Sequence, residues 1–342
     1  MQNLVRASAE LFRRTPDECF PSLDALSEYC QGQKENSREL WQPPGSFEVL
    51  PTVAGQLRLS TSDDDAYTMN DWSFSQLCRL SSVAKETVNR LFPATAARVF
   101  QETLPRASKP MQLFTEDDNL RSIHAASYTR LFNADLLEVV REYALDFRPP
   151  QEGIDTKTGL YAGQQDMFAF LIDPEGWTEI EGEAFAPGFF VWNSETGARS
   201  VGIQTFWFQK VCQNHIVWDA VEVTELTRKH TANVHESLNE IRQAIEMLVQ
   251  KRDARRDGFV PVIAKAMKTK LGDDADEVLK ALAQNGIPRG LAKQAMEIAK
   301  RQGAFTIFAL VDALTRLSGQ MNFVGGRTEI DQKAAGLLAL AA

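Results

Sequence analysis

The chain has 342 residues, 44% of them hydrophobic, so it can bury one large core with additions, or two cores, without covalent staples. Its four cysteines, Cys19, Cys30, Cys78 and Cys212, show no paired spacing, which argues against a disulfide framework and for a reducing compartment. No apolar run is long enough to span a bilayer, and the opening Met-Gln-Asn-Leu-Val-Arg has no signal core, so a cytoplasmic protein without a membrane partner is expected.

Residues 1–45 read as an N-terminal extension of partial order: a helix over Asn3–Arg14, then Pro16, Pro21 and the polar run Gln31–Arg38. An α+β core domain is expected over 46–256. It begins with β character in Phe47–Leu59, then turns helical from Asp71, where Phe74, Leu77, Leu80 and Val83 recur at helical spacing. Met111–Thr115 and Leu120–Tyr128 are strand candidates, and Ala134–Tyr143 is an amphipathic helix. Three aromatic-rich strands follow, Met167–Asp173, Phe185–Trp192 and Ser200–Trp218, with a hairpin turn at 193–197. Both alternating faces of Ser200–Cys212 are apolar, the pattern of a strand covered on both sides. One long helix over Thr231–Arg256 is expected next, with Val234, Leu238, Ile241, Ile245 and Leu248 as its buried stripe and Gly258 as its stop. These strands and helix make a β-β-β-α core in an antiparallel sheet. Residues 257–342 read as a helical C-terminal region, with helices opened by Pro261, by Asp273 or Asp274, by Pro288 and by Thr306.

The net charge of −9 at first speaks against a polyanionic partner, but it is unevenly spread. Residues 1–224 hold 19 basic against 32 acidic side chains, whereas 228–270 hold 10 against 5. A split of this kind can mark a binding face.

Phosphate-cradling glycine loops and the Gly-x-Ser-x-Gly elbow are absent, which disfavours ATP hydrolysis, nucleotide-cofactor redox chemistry and that class of serine hydrolysis. Cys212-x2-His215 and His230-x4-His235 have zinc-like ligand spacing. Yet a strand-end cysteine and two helix-start histidines more than a turn apart read better as structural residues, so neither metal nor cofactor is expected. Glu179, Glu181 and Glu183, with Asp166 and Asp173, could hold Mg²⁺ for a nuclease, although the lysine that usually follows such acids is missing. A stronger lead is the interleaving of aromatic and basic residues, since single strands are held by positive grooves with stacking platforms. Arg199, Lys210, Arg228, Lys229, Arg242, Lys251, Arg252, Arg255 and Arg256 are the candidate phosphate contacts. Tyr128, Trp192 and Trp207 are the candidate stacking rings.

Four motifs in order, Phe-Ser-Gln-Leu-Cys-Arg-Leu (74–80), Leu-Arg-Ser-Ile-His-Ala-Ala-Ser-Tyr (120–128), Lys-Val-Cys-Gln-Asn-His (210–215) and Arg-Lys-His-Thr (228–231), resemble the uncharacterised phage and plasmid family numbered 932 among domains of unknown function. Arg121, Tyr128, Cys212, Asn214 and His230 are the matching positions. The resemblance implies a mobile-element origin and brings no catalytic residues with it. The strand order is also similar to the β-β-β-α core of phage and Rad-type single-strand annealing proteins, which implies a ring or filament of identical subunits holding single-stranded DNA in a basic groove. The expected function is therefore non-enzymatic binding of single-stranded DNA in annealing or recombination. A metal-dependent nuclease and a protein-interaction scaffold are the alternatives.

Overall fold

The computed structural model describes residues 10–61, 65–151, 158–210, 226–301 and 305–341, and the backbone of 214–216. Its first half contains β1 (Glu18–Cys19), α1 (Leu23–Glu35), β2 (Ser37–Gln42), β3 (Glu48–Pro51), β4 (Leu57–Ser60), β5 (Ala66–Met69), α2 (Asp71–Leu80), α3 (Lys85–Val88), α4 (Pro93–Thr103), β6 (Met111–Glu116), β7 (Asn119–His124) and α5 (Asn133–Tyr143). Next come β8 (Leu160–Ala162), β9 (Met167–Ile172), β10 (Thr178–Ile180), β11 (Glu183–Asn193), β12 (Val201–Gln209), β13 (Asn214–Ile216) and β14 (Leu226–Arg228). The helical remainder is α6 (Glu236–Gln250), α7 (Arg252–Ala266), α8 (Ala275–Gln284), α9 (Arg289–Arg301), α10 (Ile307–Ser318) and α11 (Val324–Gly336).

Among the described residues, two sheets carry the fold. The larger runs β1-β8-β9-β11-β12-β13, with β10 on β11 and β14 on β12, all antiparallel. Its centre is the expected triplet in order and pairing, with Phe190 opposite Phe170 on β9 and Gln204 on β12; the third strand, expected over Ser200–Trp218, stops at Gln209, and its far part returns antiparallel as β13. Alternation then does what the apolar pattern requires. Phe189, Val191, Val201 and Ile203 face α1, α5 and α6, while Phe170, Phe190, Phe206 and Phe208 fill the opposite face with Val324 of α11. The smaller sheet, β2-β6-β7-β5-β4-β3, packs Val49, Leu59 and Leu113 against Phe74, Leu77 and Phe100 of α2 and α4. The α+β class and the helical C-terminal region hold, and among the described residues no helix is long and apolar enough to cross a membrane.

Three further local expectations change. The helix expected over Asn3–Arg14 is not formed at 10–14; Asn89 bonds both backbone groups of Phe12 (2.8 Å each), holding that segment non-helical with the Phe12 ring on Phe74 (4.4 Å). Residues 3–9 lie outside the described residues. The stretch 18–42, expected to be only partly ordered, supplies an edge strand to each sheet and a helix capped by Ser22. The single helix over Thr231–Arg256 is two, broken at Lys251 (φ −97°, ψ 12°), because α6 and α7 pack on different patches of the sheet. Ile241, Ile245 and Leu248 join the α5 side, whereas Phe259 stacks on Trp207 (4.0 Å, 4°), carrying Gly258 and Pro261 within α7 against their helix-breaking tendency.

Candidate functional site

Three of the four motifs, those at 74–80, 120–128 and 228–231, meet where the two sheets touch, while Lys210 of the fourth follows the far end of β12. α2 begins with a capping box: Asn70 Oδ1 accepts from the Trp72 and Ser73 amides, and Ser73 Oγ accepts from the Asn70 amide. Its buried side is Phe74, Leu77 and Cys78. The flank left over, Trp72, Gln76, Arg79 and Leu80, is aligned by helical spacing and faces a cavity of about 410 Å³. Met111, Ile123, His124, Ala125, Tyr128 and Gly197 complete the lining. Trp72 Nε1 donates to the Thr196 carbonyl (2.7 Å), and Gln76 Oε1 accepts from the Ile123 amide (2.8 Å), which pins α2 to both neighbours. Arg79 is exposed, lies over the Trp72 ring (5.3 Å) and makes no ion pair among the described residues.

Behind this cavity is a ring stack. His124 lies flat on Tyr128 (3.7 Å, 6°), and His230 stacks on Tyr128 at 5.3 Å. Gly197 has φ +70°, and a Cβ there would stand 2.7 Å from His124 Cε1, so the turn needs glycine for both reasons. Burial, reinforced by the Arg130 charge, pushes His124 down to about 3 and His230 down to about 4, so both rings are neutral near pH 7. The His230 nitrogens face the Thr129 and Arg199 backbone without a hydrogen bond of good geometry.

The turn itself ends in a buried carboxylate. Glu195 accepts from Arg121 Nη1 (2.9 Å) and from the Asn133 amide (2.7 Å) in the first turn of α5, so a guanidinium and a helix N-terminus hold it together. Tyr128 Oη donates to the Glu195 carbonyl (3.0 Å), and Arg130 donates to that carbonyl, to Glu39 (2.8 Å) and to Gln112 (3.2 Å). Of the motif-matched positions, the structure thus gathers Arg121, Tyr128 and His230 around one turn. Cys212 lies outside the described residues, and Asn214 is known only by its pairing to Gln209.

The expected nucleic-acid contacts are dispersed. Trp192 and Trp207 are core side chains, and Tyr128 is committed to the ring stack, so none of the three is an open platform for a base. The reason is the two-sided cover of the sheet. Arg255 is buried and donates to the Gly188 carbonyl (3.2 Å). Most of the other arginines are neutralised: Arg199 by Asp166 (3.4 Å) and Glu329 (3.6 Å), Arg228 by Glu236 (3.0 Å) and Glu240, Arg242 by Glu246 (3.6 Å), Arg252 by Asp173 and Glu175 (3.2 Å), and Arg256 by Asp253 (3.1 Å) and Asp257 (3.0 Å). Lys210 and Lys229 are exposed and Lys251 half-buried.

The acids weighed for Mg²⁺ do not converge either. Asp166 is taken by Arg14 (3.2 Å) and Arg199, Asp173 by Arg252, and Glu181 by Lys268 (2.7 Å). Among the described residues no three His, Cys, Asp or Glu side chains come together as a metal site; His230 is in the ring stack, His235 is exposed, and the His215 side chain lies outside the description. Sequence reasoning missed Trp72, Arg79 and Glu195. The first two could have been found from the i, i+4, i+7, i+8 flank of α2, opposite its apolar stripe.

Fold and site define an α+β protein with a ring-lined cavity at a sheet–sheet junction. Residues 122–285 match the model of a family described as Domain of unknown function (DUF932). That stretch takes in the His124–Tyr128–His230 stack, the central strands and α6 to α8, and leaves the 74–80 motif outside. Neither the curated proteins nor the solved structures searched gave a match.

Proposed function

We propose that the protein is a non-enzymatic binder of single-stranded DNA, with the α2–β7 cavity receiving one nucleotide. The observation that carries this reading is the lining: Trp72 and His124 present rings, Gln76 an amide, and the exposed Arg79 a cation without a carboxylate partner among the described residues. A cavity of about 410 Å³ accommodates a base with its sugar. Rings take the base by stacking, and a guanidinium at the rim takes phosphate. On this reading the partner is DNA of a phage or plasmid, the task is strand annealing or recombination, and the working form is a homo-oligomeric ring or filament whose copies each hold a short stretch of strand. The candidate acids are engaged by arginines or Lys268, or stand apart, which gives a nuclease no support.

The test is anisotropy of a labelled single-stranded oligonucleotide across a salt series. Trp72→Ala is expected to weaken binding about 5- to 160-fold, and Trp72→Phe much less, because one stacked base contributes about 1–3 kcal/mol. Arg79→Gln should lower the steepness of the salt dependence by about one phosphate contact. Absence of binding by the unmodified chain at low salt, or unchanged affinity in Trp72→Ala and Arg79→Gln, refutes the reading.

A further inference from the structure

α8 and α9 form a helix–turn–helix whose second helix is bare on its outer side. The turn is built from sequence: Gly286 takes φ +73°, its amide donates to the Ala283 carbonyl (3.0 Å), and the Ile287 amide donates to the Leu282 carbonyl (3.1 Å). This paired closure ends α8 sharply, and only residues 285–288 separate the helices. Val278, Leu282 and Ile287 anchor the first half, while the small residues Ala292, Ala295 and Ala299 let α9 lie close on the C-terminal core.

One flank of α9, beside its buried face, is cationic. Arg289, Lys293, Lys300 and Arg301 are all exposed, and among the described residues none of the four makes an ion pair. This contrasts with Arg228, Arg242, Arg252 and Arg256 of β14, α6 and α7, each matched to acids. Glu297 is the one carboxylate on α9. Arg289, Lys293 and Lys300 fall along one strip of the helix, over a rise of about 16 Å. Open space lies where a Cβ of Gly290 would stand, so a second body can approach the backbone closely at the first turn.

We propose that α9 is a duplex-DNA contact that enters the major groove, its cations meeting phosphates on the groove walls. A helix of about 10–12 Å diameter fits a groove of about 12 Å. The occupant is a duplex because this face is a convex rod without a single aromatic residue, whereas single strands call for stacking platforms. Charge sets the orientation. Asp274, Asp276 and Glu277 sit at the start of α8, about 15 Å along that helix from the turn that precedes Arg289. Entry led by Arg289 and Lys293 keeps those carboxylates off the backbone, and it is also how helix–turn–helix readers use the first residues of their second helix. This contact is separate from the α2–β7 cavity and does not depend on it.

The experiment measures anisotropy of labelled duplex and single-stranded DNA of one sequence on the full chain, on Arg289→Glu/Lys293→Glu/Lys300→Glu, and on Trp72→Ala. All three charge-reversed positions are exposed, and circular dichroism melting verifies that the variant is folded. The unmodified chain is expected to lose about a hundred-fold in duplex affinity between roughly 50 and 200 mM salt, as four phosphate contacts require. The triple variant should lose at least about a hundred-fold at low salt while keeping single-strand binding, and a milder Lys293→Gln/Lys300→Gln pair should lower the salt slope by about two contacts. Trp72→Ala should leave duplex binding intact. Four outcomes overturn the proposal: no duplex binding at low salt, an unaffected triple variant, equal loss of both DNA forms, or an acidic protein captured through α9 by a chain that ignores duplex.

Discussion

Glu195→Ala is the sharpest probe of the junction. The carboxylate is fully buried, with Arg121 Nη1 at 2.9 Å and the Asn133 amide at 2.7 Å, so its removal leaves a buried guanidinium and an orphaned helix-start amide. Breaking a buried pair by deleting one partner costs about 3–5 kcal/mol. Arg121 keeps Glu116 at 3.4 Å, a half-buried carboxylate, which places the expected loss near the lower bound. For a chain of 342 residues the unfolding entropy, about 2.1 cal/mol/K per residue, turns about 3 kcal/mol into a fall of about 4 °C in Tm. Differential scanning calorimetry and urea unfolding measure both quantities. Glu195→Ala/Arg121→Met removes both charges and should recover most of the loss, because the penalty comes from the charge left behind. A single-variant cost under about 1 kcal/mol, or a double variant no better than the single, refutes the view that this pair joins the sheets.

The two stacked histidines set a pH dependence. Both have folded values, about 3 and about 4, below the usual 6.5, so the unfolded chain binds more protons and stability falls as pH drops below 6.5. The loss at pH 5 is roughly 2 kcal/mol for each ring, read by thermal melts from pH 7.5 to 5, and His230→Phe should flatten the curve by about half. Gly202→Ala places a Cβ in the space of the Trp192 ring and the Leu226 carbonyl, so a loss of about 2–3 kcal/mol is expected in chemical denaturation; a neutral result would refute this packing of Trp192 and β14 on β12. Trp207→Ala should cost about 3–5 kcal/mol in stability, because the ring is fully buried on Phe259.

Local patterning was enough for the order of the central triplet, the turn at 193–197, the cap at Thr306 and, to within one residue, the cap at Asp274, because each is decided by neighbours within a few residues. The smaller sheet was not legible as a sheet. Its parallel pairing of Thr68 with Asn119 is separated by α2 to α4, and no periodicity within either strand encodes it. The break at Lys251 escaped for a related reason: the apolar stripe ends at Leu248, and only the stacking of Phe259 on Trp207 shows that the chain beyond it turns to another patch of the sheet. Glu195 reads as a solvated turn residue, and only Arg121 and the start of α5, both more than sixty residues away, turn it into a buried anchor. Arg121, Tyr128 and His230 did stand out as motif positions, and their meeting at one turn is physical rather than sequential. The basic surface was sought at 228–256, where acids interleave at pairing distance; on α9 only Glu297 interrupts the cations.

The strap formed by β1, α1 and β2 has a consequence for synthesis. Cys19 pairs with Tyr161 of β8, Asp17 accepts the Val324 amide at the start of α11, and Ser37 pairs with Glu116. At about 5–20 residues per second, Cys19 waits roughly 7–28 s on the ribosome for its strand partner, and Asp17 about twice that for its helix. Until then β1 has no strand to pair with, and β2 has none until β6 is made. The newborn chain is therefore most exposed to wrong pairing along β1 and β2, and a holdase that covers those segments would raise the yield of folded protein.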